Sequence, residues 1–262
     1  MAEFVKTQIH NNVAFLTLNR PEKRNALTRT FIQEINEFVV AIGKDDSIRL
    51  LVLQAEGRVF CAGMDLNEMQ DHRSAVMPEQ ELQSDATVFA ELVSNIFSLS
   101  IPTLAVLSGP ALAGGTGLVF ACDLVVAADH SSISLPEPKR GIVAAVVCPL
   151  LCYRTNVSTA SHLLLSGQPI TAQEAATQGL FHRVIPEDRL ESTKQEWVNS
   201  ILSGSHSALK ITKKHLNDLL QGQVLQQIKQ STKVSAIARK TDDAREGLLA
   251  FTEKRKPNWE IQ

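Results

Sequence analysis

A glycine-rich stretch between two apolar segments constrains this chain more than any other feature. Residues 108–141 read SGPALAGGTGLVFACDLVVAADHSSISLPEPKRG. The glycines at positions 109–117 predict a tight turn that enters a helix, and the apolar run 124–127 predicts a buried strand. Glycines at the start of a helix leave backbone N–H groups uncovered, so that such a turn can bind an anion or an oxyanion.

A second turn of the same character lies at residues 60–65, with the sequence FCAGMD. Near the end of the first stretch, one carboxylate, Glu137, stands between two prolines. Two turns that offer backbone donors, together with one carboxylate, are typical of acyl chemistry.

Composition limits the other possibilities. The chain has 262 residues, of which 44% are hydrophobic, enough for one large domain or one domain with an appendage. A net charge of −2 gives no basic field for nucleic acid or an anionic membrane surface, so neither partner is expected. No apolar run reaches the roughly 18–20 residues of a membrane span. The opening residues MAEFVKTQIH lack the apolar region of a signal peptide, and cytosol is therefore the expected location.

The four cysteines predict no metal centre. Cys61, Cys122, Cys148 and Cys152 lie among apolar or small residues, as reduced core cysteines do. Cys148 and Cys152 are one helical turn apart and could share a metal ion. No suitably spaced Cys or His accompanies them, so we expect no metal site.

The first half of the chain repeats a strand, a turn and a helix. Apolar segments around Asn11 and Asn12 predict a hairpin, and Thr28 is expected to cap a helix. Short strands are predicted at residues 50–54 and 103–107, each leading to a glycine turn. Residues 66–84 are polar without a steady period and predict a loop or frayed helix over the site.

The second half is increasingly helical. The apolar run 142–153 predicts a buried helix that lines a pocket, and from Glu187 onward the chain is expected to be wholly helical. Val224, Ile228 and Ile237 are expected to mark the buried stripe of these helices.

Six segments in order make the chain similar to one family. They are LTLNRPEKRNAL, FCAGMDLNEM, IPTLAVLSGPALAGGTGL, CDLVVAADHSSISLPEPKRGI, QGLFHRVIP and DDAREGLLAFTEKRKPNW. Over essentially its full length the chain resembles the crotonase (enoyl-CoA hydratase/isomerase) superfamily. The resemblance implies an α/β fold, a spiral of ββα units over residues 1–195 that carries the acyl-CoA site. It also implies a helical region over residues 196–262 that covers the site and builds a homotrimer or homohexamer.

The same resemblance implies binding of an acyl-CoA thioester and stabilisation of its enolate by two backbone N–H groups. These are the amides of Met64 and Gly114. Preorganised donors of this kind contribute on the order of 3 kcal/mol each. No cofactor is expected beyond the coenzyme A of the substrate, because no flavin, nicotinamide or metal motif is present.

The chain departs from the family's hydratases at one position. Hydratases of the family use two glutamates; the second matches Glu137, and the first would stand twenty positions earlier, at Gly117. A single carboxylate can still move a proton between two carbons, as base and then as acid. An enoyl-CoA isomerase is therefore slightly favoured over a hydratase, with Glu137 as the proton shuttle. Some hydratases and hydratase-lyases of the family also have only the later glutamate, and Asp71, Glu79 or Glu81 of the polar segment could still supply a second acid. Gly117 is expected to leave room for a branched or bulky acyl group.

Further substrate contacts follow from the resemblance. Lys23, Arg24 and the backbone near Ala26 match the loop beside the CoA phosphates and adenine. Ala62, Asp65 and Leu66 surround the first donor turn, where Asp65 is expected to order the turn. Lys254 resembles a lysine that can reach a CoA phosphate, sometimes from the next subunit.

Other functions remain open at this point. A decarboxylase, a thioester hydrolase or a carbon–carbon lyase of the same family, on an acyl-CoA or acyl-carrier substrate, would share the oxyanion hole. A non-catalytic acyl-CoA-binding or RNA-binding member is the least favoured, because Lys210, Lys214 and Arg239 are mixed with acids and apolar residues.

Overall fold

The alternation of strands and helices produces two sheets, in a computed structural model that describes residues 4–71 and 79–260. The strands are β1 (Val5–His10), β2 (Val13–Leu18), β3 (Leu50–Ala55), β4 (Thr103–Leu107), β5 (Ala111–Leu112), β6 (Leu124–Ala128), β7 (Ser132–Ser134), β8 (Ile170–Thr171) and β9 (Arg183–Ile185). The helices are α1 (Arg29–Gly43), α2 (Leu66–Asp71), α3 (Glu79–Ser98), α4 (Gly114–Ala121), α5 (Val147–Arg154), α6 (Val157–Ser166), α7 (Ala172–Thr177), α8 (Leu190–Ser203), α9 (His206–Arg239) and α10 (Asp242–Thr252).

The larger sheet has six strands in the order β1-β2-β3-β4-β6-β9. Its first pair is antiparallel and the remaining pairs are parallel. Asn11 and Asn12 join β1 to β2 with φ angles of 48° and 64°, a left-handed conformation that asparagine tolerates in tight hairpins. The predicted hairpin is therefore confirmed.

Both faces of the central strands are buried, which explains why β3, β4 and β6 are mostly apolar. Leu51 and Leu53 of β3 belong to the main core with α1, α3, α4 and α5. Leu50 and Val52 point to the opposite face, where they pack with Val198 of α8. Parallel strands covered on both faces have continuous apolar sequences rather than alternating ones.

A second sheet, in the order β5-β7-β8, lies beside the two glycine turns. Ala111 of β5 also forms a bridge with Cys61, so that the strand is tied to the first turn. The chain enters α4 directly after β5. The two segments that the sequence analysis singled out are thus neighbours in space.

Several sequence predictions agree with this fold. The Thr28 side chain accepts the backbone N–H of Phe31 and caps α1, and strand β4 has the expected bounds. The boundary between residues 195 and 196 falls inside α8 and stays a prediction. Among the described residues, no helix combines the length and apolar character that crossing a membrane requires.

The sequence predicts a loop or a frayed helix for residues 66–84, and the structure has helix at both ends. Residues 66–71 form α2, and α3 begins at Glu79. Tertiary bonds hold this polar first part of α3, because Gln83 donates to Thr232 and Asp85 accepts from Arg239, both on α9. Residues 72–78 lie outside the described part of the chain.

Three smaller predictions also need correction. The helix of the 142–153 run begins only at Val147, which places Pro149 in its first turn, where a missing N–H is tolerated. Ile237 is 59% exposed; it lies nine residues after Ile228, and at about 100° per residue this is half a turn away. Cys152 is exposed and Cys148 is half-buried, so only Cys61 and Cys122 are core cysteines.

A buried ion pair joins α9 to the start of β6. Lys213 Nζ lies 2.7 Å from Asp123 Oδ2 and also donates to the carbonyl of Ile101. Burial lowers the pKa of Lys213, and the Asp123 carboxylate opposes that shift. Asp123 also accepts from the amide and hydroxyl of Thr103. One buried lysine thus fastens the C-terminal helices to the sheet.

We expect Lys213→Met to lower the free energy of unfolding by about 2–3 kcal/mol, because Asp123 loses its buried counter-charge. Lys214→Met is the matched control: Lys214 is mostly exposed and pairs with Asp218 on the same helix face, a contact worth less than about 0.5 kcal/mol. Urea denaturation of both variants measures the difference. Equal, small effects would show that the buried pair does not hold α9 to the sheet.

Candidate active site

The two glycine turns are in direct backbone contact. An ideal Cβ on Gly63 would lie 2.6 Å from Ala113 Cβ and 3.1 Å from the amide nitrogen of Gly114. Gly63 has a φ of 84° and Ala113 a φ of 53°. A positive φ at a non-glycine residue costs free energy and is found where surrounding structure enforces it. The turns therefore fit together only because position 63 carries no side chain.

Backbone bonds aim the Met64 amide. Leu27 N–H donates to Gly63 O, and Asp65 N–H donates to Leu27 O, both at 2.8 Å. In a trans peptide the C=O and the next N–H point in opposite directions. Because Gly63 O points at Leu27, the Met64 N–H points away from it, and Met64 lines the cavity described below.

The Gly114 amide is aimed in the same way. Ala113 O accepts from Gly117 N–H inside the first turn of α4, so the Gly114 N–H points out of the helix N-terminus. No side chain caps this end of α4. Among the described residues, nothing accepts a hydrogen bond from the Met64 or Gly114 amide. Two free donors from separate turns thus border one cavity.

Glu137 lies on the wall of the same cavity. It begins a 3₁₀ turn, Glu137–Arg140, and is 7% exposed. Its Oε2 is buried and has no hydrogen-bond partner among the described residues. Burial raises the pKa of Glu137 to about 7. A carboxyl with this pKa can both accept and return a proton near neutral pH.

Helix α10 packs against the turn Glu137–Arg140. A Cβ on Gly141 would lie 2.2 Å from Asp243 O, and one on Gly247 would lie 2.3 Å from Arg140 O. The Arg140 guanidinium also lies 4.5 Å from the centre of the Phe251 ring. Two glycines thus allow α10 to pack directly on the backbone that carries the carboxylate.

The cavity has a volume of about 870 Å³. It brings together nine of the eleven residues predicted from the sequence: Lys23, Arg24, Ala26, Ala62, Met64, Asp65, Leu66, Gly114 and Glu137. Apolar side chains from residues 142–147, together with Phe89 and Leu112, form much of the remaining wall. The 142–153 run therefore lines a pocket as expected, although its lining part is a loop.

Gly117 and Lys254 do not line this cavity. A Cβ on Gly117 would lie 2.9 Å from Val147 Cγ2 and 3.1 Å from Phe89 Cζ. The room expected beside Gly117 is therefore occupied by two apolar side chains. Lys254 is exposed; its contact with a CoA phosphate from a neighbouring subunit stays a prediction, as does the trimer or hexamer.

The other acids that the sequence analysis named do not stand beside Glu137 as a second free carboxylate among the described residues. Asp65 accepts from Arg20 at 2.8 Å; burial acts to raise the pKa of Asp65, but the bonds from Arg20 and the Asn67 amide outweigh it and lower the pKa. Glu81 is exposed and does not line the cavity. The side chains of Asp71 and Glu79 lie outside the described part of the structure, as does His72.

Sequence reasoning missed Asn25, which holds the predicted CoA loop in place. This asparagine is fully buried with a φ of 53°. Its side chain accepts the Arg20 amide and donates to the carbonyls of Glu56 and Val59. An asparagine inside a polar loop is the signal that could have revealed it, because asparagine adopts the left-handed conformation and bonds to nearby backbone.

Within residues 4–71 and 79–260, no group of three or more His, Cys, Asp or Glu side chains is arranged to hold a metal ion.

With this geometry in place, comparison with known proteins is decisive. A family model described as enoyl-CoA hydratase/isomerase matches residues 8–262. The chain belongs to the enoyl-CoA hydratase/isomerase family. The 2,3-dehydroadipyl-CoA hydratase of Escherichia coli is 30% identical over 260 residues, which span 99% of each chain. Enoyl-CoA hydratase domain-containing protein 3 of Mus musculus, a mitochondrial protein, is 28% identical over 97% of this chain and 83% of the relative.

Solved structures agree with the family assignment. The crystal structure of an enoyl-CoA hydratase from Mycobacterium avium is similar at a TM-score of 0.87 and 29% identity, over 99% of this chain and all of that one. The predicted crotonase fold is therefore confirmed. Membership of an enoyl-CoA hydratase/isomerase family implies an acyl-CoA thioester as substrate.

The raised pKa of Glu137 makes stability depend on pH. The carboxyl holds its proton more tightly in the folded state, so its contribution is present below the unfolded pKa of 4.5 and is lost as pH rises through about 7. We expect Glu137→Gln to differ least from wild type near pH 5, by less than about 1 kcal/mol, and to exceed its free energy of unfolding by up to about 3 kcal/mol near pH 8.

The matched control for this measurement is Glu174→Gln. Glu174 lies in the exposed capping box of α7, where bonds from Thr171 lower its pKa. The Glu174 carboxylate is ionised throughout the range, so its variant should differ from wild type by a constant amount. Urea titrations at several pH values measure both. A pH-independent difference for Glu137→Gln would show that the carboxyl is not desolvated.

Proposed function

We propose that this chain forms the enolate of an acyl-CoA thioester in a hole made by the amides of Met64 and Gly114, with Glu137 as the only proton shuttle. The observation that supports this most strongly is the placement of one buried carboxyl, with one oxygen that has no partner among the described residues, and two free backbone donors on a single cavity. Donors aimed at a developing oxyanion stabilise the enolate without reorganisation at the moment of reaction. The carboxylate of Glu137 removes a proton from one carbon of the acyl chain and, as an acid, returns it to another.

Double-bond isomerisation is the proposed reaction, in preference to hydration. Hydration needs a water held between two acids, and the position of the family's first glutamate is Gly117. The space beside Gly117 is filled by Phe89 and Val147 rather than by a second carboxyl. An apolar wall at this place excludes water from a dienolate, which favours moving the double bond from the 3,4 to the 2,3 position.

We expect purified protein to convert a 3-enoyl-CoA into the conjugated 2-enoyl-CoA, and Glu137→Gln to lower kcat about 100- to 10,000-fold. Because the reaction begins with the ionised carboxylate, kcat/KM should rise with pH to a plateau above the pKa of about 7. Ultraviolet absorbance of the conjugated thioester follows the reaction.

The control is Glu91→Gln, which removes an exposed carboxylate from the same helix that carries Phe89 and should leave kcat unchanged. Mass spectrometry of the product separates the chemistries. A product heavier by one water would identify a hydratase, and free CoA thiol or carbon dioxide would identify a hydrolase or decarboxylase. Full activity in Glu137→Gln would exclude the proposed shuttle.

A further inference from the structure

A cluster of charged side chains lies in the wall of the catalytic cavity. It consists of Arg29, the first residue of α1, Asp85 of α3 and Arg239, the last residue of α9, and all three line the cavity with Glu137. Asp85 Oδ1 accepts from Arg29, and Asp85 Oδ2 accepts from Arg239 at 3.0 Å. One part of an otherwise largely apolar wall is therefore charged.

The side chain of Arg239 is more buried than arginine side chains usually are. Its side chain is 8% exposed and that of Asp85 is 16% exposed. A guanidinium has five N–H donors, and the bond to Asp85 uses one of them. The nearby acid Glu68 accepts the backbone N–H of Arg29 at 2.9 Å, at the start of α1, so that its charge is engaged by the helix terminus. Within residues 4–71 and 79–260, no other acceptor is found for the side-chain donors of Arg29 or Arg239.

The cluster and the proposed oxyanion hole border the same cavity. Phe89 Cζ is 3.2 Å from the ideal Cβ position of Gly114. Asp85 precedes Phe89 by four residues on α3, which is about 6 Å along the helix axis. An acyl group whose thioester oxygen is bound at Gly114 therefore shares its cavity with the arginines.

We propose that the acyl group carries a carboxylate at its far end and that Arg239, together with Arg29, binds it. The inference rests on the proposed function, because it requires the acyl-CoA thioester to occupy this cavity. Guanidinium groups bind carboxylates through two parallel N–H bonds, which gives direction as well as strength. Arg239 and Arg29 thereby select an ω-carboxyacyl thioester over an uncharged one of equal length.

Two other roles for the cluster give different results. A purely structural tie between α1, α3 and α9 would leave the two substrate classes equally bound. Contact with the phosphates of coenzyme A would strengthen both classes, and free coenzyme A, to the same extent.

The test is calorimetric binding of saturated thioesters, which does not depend on turnover. Succinyl-, glutaryl- and adipyl-CoA are compared with butyryl-, valeryl- and hexanoyl-CoA, pairs with equal numbers of carbons. For at least one pair, wild type should bind the carboxylate thioester at least about tenfold more tightly than its uncharged partner. Arg239→Met should weaken that member about tenfold or more and change its uncharged partner less than about twofold, because only one loses a charged hydrogen bond.

Asp85→Asn provides a test of opposite sign. It keeps the shape of the side chain and removes the anion that the two guanidinium groups share, so it should tighten the carboxylate thioester and leave its partner unchanged. A structural tie predicts equal weakening of both. Arg245→Met, on the exposed face of α10, is the control for removing an arginine and should alter neither affinity.

Each remaining outcome is decisive. Equal binding of both classes by wild type, or equal losses that include free coenzyme A in Arg239→Met, would overturn this inference and leave the proposed function intact. Failure of wild type to bind any acyl-CoA would overturn the proposed function and this inference with it. Arg239→Lys, which keeps the charge but not the paired donors, should retain part of the preference.

Discussion

The contact between two backbone turns is the constraint on which the rest of this structure depends. Gly63 approaches Ala113 and Gly114 so closely that even a methyl group at position 63 would collide with them. Each turn is held from outside, one by Leu27 and the other by the first turn of α4. The two amides of Met64 and Gly114 are consequently fixed before any ligand arrives, and preorganised donors are those that contribute most to stabilising a developing charge.

Burial sets the pKa of Glu137, the carboxyl that is proposed to move the proton. Glu137 stands in a cavity whose walls are largely apolar, with α10 packed on the turn that carries it. Desolvation raises its pKa to about 7 and so provides both the basic and the acidic form at neutral pH. Phe89 and Val147 occupy the place where a second acid would hold water. The proposed proton shuttle and the proposed isomerisation both rest on these apolar surroundings.

The sequence predicted the local parts of this site well and the distant partners poorly. The donor turns and Glu137 were visible because glycine and proline mark short segments whose backbone geometry is dictated locally. Asp85 and Arg239 are 154 positions apart, and nothing in their own segments indicates that they meet. The sequence predicts open space beside Gly117, but Phe89 of α3 and Val147 of α5 fill it. Tertiary contacts decided each of these outcomes.

A crystal structure with a saturated acyl-CoA thioester bound tests the central claim most directly. The account predicts that the thioester oxygen lies about 3 Å from both the Met64 and the Gly114 amide nitrogens, with a Glu137 carboxyl oxygen beside the adjacent carbon. A thioester oxygen that contacts neither amide, or that lies remote from Glu137, would contradict it.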